Sequence, residues 1–106
     1  MAKFLIQASY TVEGTQGLLR EGGTKRKAVV EETLRAVGGK LEVFYYALGQ
    51  HDAYIIADFP DSVSAMALSM AVNSTGAVTT KTTPLLTVED MDKAVKMKIN
   101  YRKPGQ

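Results

Sequence analysis

Two runs of strand-forming residues, Lys40–Leu48 and Asp52–Phe59, are separated only by Gly49-Gln50-His51. So short a connection forces antiparallel pairing, because parallel neighbours need a crossover of about a dozen residues or more. Both runs alternate with the period of two that a strand imposes. In the later run Ala53, Ile55, Ala57 and Phe59 oppose Tyr54, Ile56 and Asp58. In the earlier run Leu41, Val43, Tyr45 and Ala47 oppose Phe44, Tyr46 and Leu48 around Glu42, so it is apolar on both faces. A sheet built on this hairpin therefore needs cover on both sides.

The flanking segments supply the rest of the order. Lys3–Tyr10 alternates Phe4, Ile6, Ala8 and Tyr10 against Lys3, Leu5, Gln7 and Ser9, which predicts a first strand. Thr11–Gly23 carries four glycines around Leu18-Leu19, consistent at best with a short helix. Thr24 is placed to cap a better one, with Val30, Leu34 and Val37 as its buried stripe, Glu31 and Arg35 paired on a more solvated side, and Gly38-Gly39 as a left-handed end. After the hairpin, Pro60-Asp61 stops the strand and caps a helix whose stripe reads Val63, Met66/Ala67 and Met70. Val78–Leu86 is threonine-rich and extended, and Pro84, lacking an N–H, assigns it to a sheet edge. Thr87-Val88-Glu89-Asp90 opens a last helix in capping-box style, with Val88, Met91 and Val95 on one side. The order β-α-β-β-α-β-α folds most simply into a ferredoxin-like βαββαβ sandwich: α+β, a four-stranded antiparallel sheet with the first and third strands central, two helices on one face and a C-terminal helix.

At 106 residues the chain is one domain with one core, read as residues 1–100 followed by a basic polar tail, 101–106. Zero cysteines exclude disulfides, thiolate nucleophiles and Cys-based metal centres, and a single histidine weakens most other metal proposals. No metal site is expected. The longest apolar run, Val43–Leu48, is far shorter than a membrane span, and Phe4-Leu5-Ile6 is too short for a signal peptide, so a cytoplasmic protein without membrane contact is expected. No acidic residue follows Asp92, whereas Lys93, Lys96, Lys98, Arg102 and Lys103 do. Such an arm attracts nucleic acid in some proteins. Here no nucleic-acid-binding motif accompanies it, and cations near a helix C-terminus answer the dipole, so nucleic acid is not the expected partner.

Two helices cover one sheet face only, and an apolar second face normally marks an interaction surface. Homo-oligomerisation through that open face is the expected cover. Between Asp61 and Lys81 there is no charged residue. A solvated helix usually carries charge on its outer side. That helix either packs against the last one or forms a second interface.

From about Lys3 to Thr87 the chain resembles the GYD domain family. The matching features are Tyr10-Thr11 with Gly14, Gly38-Gly39-Lys40-Leu41, Gly49-Gln50-His51-Asp52, Phe59-Pro60-Asp61 and Gly76-Ala77-Val78. Gly49 and Asp52 match the ends of the family's Gly-x-Tyr-Asp, and Gln50-His51 stands between them in place of the usual aromatic. The resemblance implies a branch of the dimeric α/β-barrel superfamily, with oligomers formed sheet to sheet, and implies no catalytic set.

Candidate chemistry is sparse. His51 beside Asp52 has the make-up of a general base with a carboxylate, or of a metal or haem ligand; as hairpin residues, Asp52 would bond backbone N–H groups and His51 would be solvated. Tyr10, Tyr45, Tyr46 and Tyr54 come from neighbouring strands and either converge on a pocket as hydrogen-bond donors or serve as core and interface aromatics. Thr24, Lys25 and Arg26 follow Gly22-Gly23 at a helix start, the ingredients of an anion site, though without P-loop spacing. No serine-hydrolase or zinc-protease motif is present. Two function classes follow: a homo-oligomeric ligand-binding or assembly module, or a dimeric-barrel oxygenase or isomerase working in a cavity between sheet and helices. No cofactor, ligand or substrate is specified.

Overall fold

A computed structural model describes all 106 residues. The elements are β1 (Ala2–Tyr10), α1 (Val12–Glu21), α2 (Gly23–Ala36), β2 (Lys40–Tyr46), β3 (Ala53–Phe59), α3 (Ser62–Asn73), β4 (Val78–Leu85) and α4 (Val88–Val95). The chain is α+β, with one four-stranded antiparallel sheet in the order β2-β3-β1-β4. The two strands with the cleanest alternation, β1 and β3, lie in the centre, with Ile6 opposite Ile55 and Leu5 opposite Ile56. Pro84 pairs with Phe4 on the edge strand β4, where its missing N–H costs the sheet nothing. No helix is long and apolar enough to cross a membrane.

One sheet face makes the core. Phe4, Ile6, Ile55, Ala57 and Phe59 point to the helices and pack on Leu34 of α2 and on Ala65 and Leu68 of α3. Phe4 meets Phe59 edge to face, with centroids 5.3 Å apart. Val30 and Val37 flank Leu34 as the α2 stripe requires. The helix ends in a Schellman motif: Gly38, at φ 77°, donates to the Arg35 carbonyl and Gly39 to that of Leu34.

Four local expectations change. A β-bulge between Leu41 and Val43 shifts the register, so Leu41, Phe44 and Tyr46 face the helices while Val43 and Tyr45 face away. Simple alternation had put Leu41, Val43 and Tyr45 together. The glycine-rich segment forms a ten-residue helix, because Thr11 caps it through the Gly14 N–H, and α2 then starts at Gly23 with Gly22 as its cap instead of Thr24. On α3 the stripe Val63, Met66 and Met70 faces solvent, at 77%, 60% and 63% exposed, while Ala65 and Leu68 are buried. Both sides of that helix are apolar, so periodicity alone does not choose between them, and small Ala65 permits the closer approach to the sheet. Glu31 and Arg35 make no ion pair; the ion pairs are Lys3 with Glu42 and Asp58, and Arg26 with Glu21.

The last helix starts as its sequence requires, with Thr87 and Asp90 forming the reciprocal capping box. It buries no residue. The radius of gyration is 17.1 Å, against about 13 Å for a compact chain of this length, and the longest dimension is 57 Å.

Candidate functional site

A cavity of about 100 Å³ lies between the sheet and the helices. Its floor is Ile6 and Ala8 of β1, Phe44 of β2 and Ile55 of β3; its walls are Val29, Val30, Thr33 and Leu34 of α2, Leu68 and Val72 of α3, and Val78 and Thr80 of β4. Ala8, on central β1, contributes only a methyl group to the floor, where a larger side chain would fill the space. Tyr10 and Arg26 form its polar end.

The same two side chains, with Val78, also line an outer cleft of about 220 Å³ that includes Glu13, Gly14, Gly17, Arg20 and Glu21. An apolar chamber thus opens through Tyr10 and Arg26 into a polar vestibule. The Arg26 guanidinium is held by Glu21 through Nε to Oε2 at 2.8 Å and Nη2 to Oε1 at 3.1 Å, the fork geometry that favours arginine at such a site. Tyr46 donates its hydroxyl proton to the Gly23 carbonyl at 3.0 Å, tying β2 to the start of α2. The Tyr10 hydroxyl has no protein partner. Burial, with the nearby Tyr46 adding to it, pushes the Tyr10 phenol up to about 12, so it is a proton donor in hydrogen bonds across the ordinary pH range.

The four tyrosines do not converge. Tyr10 and Tyr46 belong to the helix side; Tyr45 and Tyr54 face each other on the open side. His51 is not a solvated turn residue: it is 8% exposed, its Nδ1 lies 3.1 Å from the Ser9 hydroxyl, and its ring meets Tyr54 edge-on. Because Ser9 alternates with Ala8 and Tyr10, this places His51 across the sheet from the chamber. Asp52 is not its hydrogen-bond partner and instead accepts the Tyr10 N–H at 2.8 Å. The basic trio separates as well. Thr24 and Lys25 are exposed, and Arg26 is turned to Glu21, whose carboxylate occupies the place an anion would take. No three His, Cys, Asp or Glu side chains gather where they could hold a metal ion. Sequence reasoning found Val30 and Leu34 as a buried stripe but missed Glu21, whose signal was a carboxylate five residues before Arg26 across a paired glycine, and Val29, Thr33, Val78 and Thr80, which carry no local signal as lining residues.

A family model described as the GYD domain matches residues 4–95. The chain belongs to the GYD domain family. No curated protein and no solved structure matches it. In this GYD domain, two of the resembling features meet at one corner of the vestibule. Thr11 donates its N–H to the Ala77 carbonyl at 3.0 Å and its hydroxyl to that of Gly76 at 2.9 Å. A Cβ on Gly14 would lie 2.0 Å from the Ala77 oxygen, so only glycine lets α1 dock there.

Proposed function

We propose that this GYD domain is a homo-oligomeric, ferredoxin-like module that binds a small, mostly apolar molecule in the chamber between sheet and helices. The observation that carries the reading is the Tyr10 hydroxyl, half-buried and without a protein partner where the chamber meets the vestibule. Pockets that hold small molecules combine apolar walls with a few placed polar groups. A cavity of about 150 Å³ accepts a benzene ring, so at about 100 Å³ the chamber takes a single ring only if the ligand extends past Tyr10 and Arg26 into the outer cleft, with its one polar substituent at that mouth. The ferredoxin-like assignment draws support from central β1 and β3 and the edge position of Pro84. Sheet-to-sheet association draws support from Leu5, Val43, Tyr45, Tyr54 and Ile56 on the face opposite the helices. A catalytic role as an oxygenase or isomerase would use the same phenol to stabilise an oxyanion, not to remove a proton.

The test compares p-cresol with toluene by thermal shift and calorimetry. Both are expected to bind the wild type, p-cresol the more tightly. Tyr10→Phe should weaken p-cresol about 3- to 10-fold, the worth of one hydrogen bond, and leave toluene unchanged. Val72→Phe should exclude both by filling the space. Binding that survives Val72→Phe, or a cresol preference that survives Tyr10→Phe, would refute the assignment. For the oligomer, a scattering mass of one chain at micromolar concentration would refute sheet-face association, and Tyr45→Lys should weaken it.

A further inference from the structure

We infer that the C-terminal arm of one copy docks on the outer face of α3 of a second copy, an exchange separate from the sheet face. Two unpartnered apolar stripes occur on this chain. One is Val63, Met66 and Met70, the exposed side of α3, where a shallow groove runs along a segment without charge from Ser62 to Thr80. The other is Val88, Met91 and Val95 of α4, which are 76%, 56% and 73% exposed.

Both stripes have the spacing i, i+3, i+7, the seam along which two helices interlock. Their chemistry matches too. Glu89, Asp90 and Lys93 fall away from the apolar side of α4, and Asp92 lies at its margin beside Val88 and Val95, where its carboxylate can stay in water at the rim while the stripe meets the uncharged α3 face. Methionine on both stripes adapts its shape to a partner. The occupant is a second copy and not the same chain because of how the arm leaves the body. Only Leu86 and Thr87 join β4 to α4, and Thr87 is held extended by the capping box, at φ −75° and ψ 165°. The arm already stands away from its own core, and a short hinge of this kind favours exchange between protomers. Met97 and Ile99, 69% and 77% exposed, extend the apolar surface past the helix. In a reciprocal exchange two arms and two α3 faces are covered in one dimer, so each contact is made twice.

The absence of natural cysteines allows a direct test with the double variant Met66→Cys/Met91→Cys, oxidised at micromolar concentration and run without reductant. A covalent dimer is expected. A disulfide-closed monomer would show the arm folded on its own body, and no cross-link would show no contact at all; either overturns the inference. In an otherwise wild-type chain, Met91→Glu should weaken self-association at least 10-fold, and an unchanged association constant would also overturn it. The double variant carrying Tyr45→Lys should still cross-link between copies, which separates arm exchange from sheet-face association.

Discussion

The Asp52 carboxylate accepts the backbone N–H of Tyr10 at 2.8 Å, so the residue that closes the hairpin also fixes the end of the strand that carries the chamber's phenol. Asp52→Ala leaves that N–H without its partner and should destabilise the fold by about 1–3 kcal/mol, whereas Asp52→Asn, which keeps an acceptor oxygen, should cost less. Chemical denaturation of both variants measures the difference. Equal losses would mean that the carboxylate's charge, and not the bond, is what matters.

Gly14 and Gly17 lie one helical turn apart and should respond oppositely. Gly14→Ala drives a methyl into the Ala77 carbonyl and should cost about 1–3 kcal/mol. Nothing lies within 4 Å of a Cβ at Gly17, so Gly17→Ala should stabilise by about 0.5–1 kcal/mol. Melting curves of the two variants suffice.

His51→Gln should destabilise the protein by about 1 kcal/mol, through loss of the edge contact with Tyr54 and disturbance of the Ser9 hydrogen bond. The same substitution should leave cresol binding unchanged, because His51 lies on the other side of the sheet. A change in binding without a change in stability would place the histidine in the ligand site after all.

Tyr10 titrates late. Its pKa rises from 10.0 to about 12 on folding, so the folded state prefers the protonated phenol. The resulting stability is present below pH 10 and is lost as pH rises through about 12. Ultraviolet titration should find one of the five tyrosines ionising last, and Tyr10→Phe should remove that step and flatten the alkaline loss of stability.

Tyr101–Gln106 is exposed throughout, and we propose it as a tail outside the folded unit. Truncation after Asn100 should move the melting temperature by no more than about 2 °C. A larger fall would make it a packed element.

The strands were legible because their alternation is strong and their punctuation, Gly49, Pro60 and Pro84, is physically specific. The bulge at Glu42 was not, since an extra residue in one strand is defined by its partner's register and leaves no local mark. The orientation of α3 was hidden for a different reason: Ala65/Leu68 and Val63/Met66/Met70 are both apolar, and only packing decides between them. The chamber is a long-range object. Ala8, Val29, Thr33, Val72 and Thr80 come from four elements and look ordinary in each, while His51 read as a turn residue because its partner Ser9 lies 42 residues away in the chain.

Both rims of the sheet are spoiled as templates for further strands. On β2 the bulge breaks the regular row of donors and acceptors, and on β4 Pro84 removes a donor. A chain arriving edge-on would find its hydrogen-bonding ladder interrupted on either side, which is how natural sheets resist growing into fibres. Growth by lateral strand addition is therefore disfavoured at both rims, and any contact between copies has to be made by side chains and not by a continued backbone ladder.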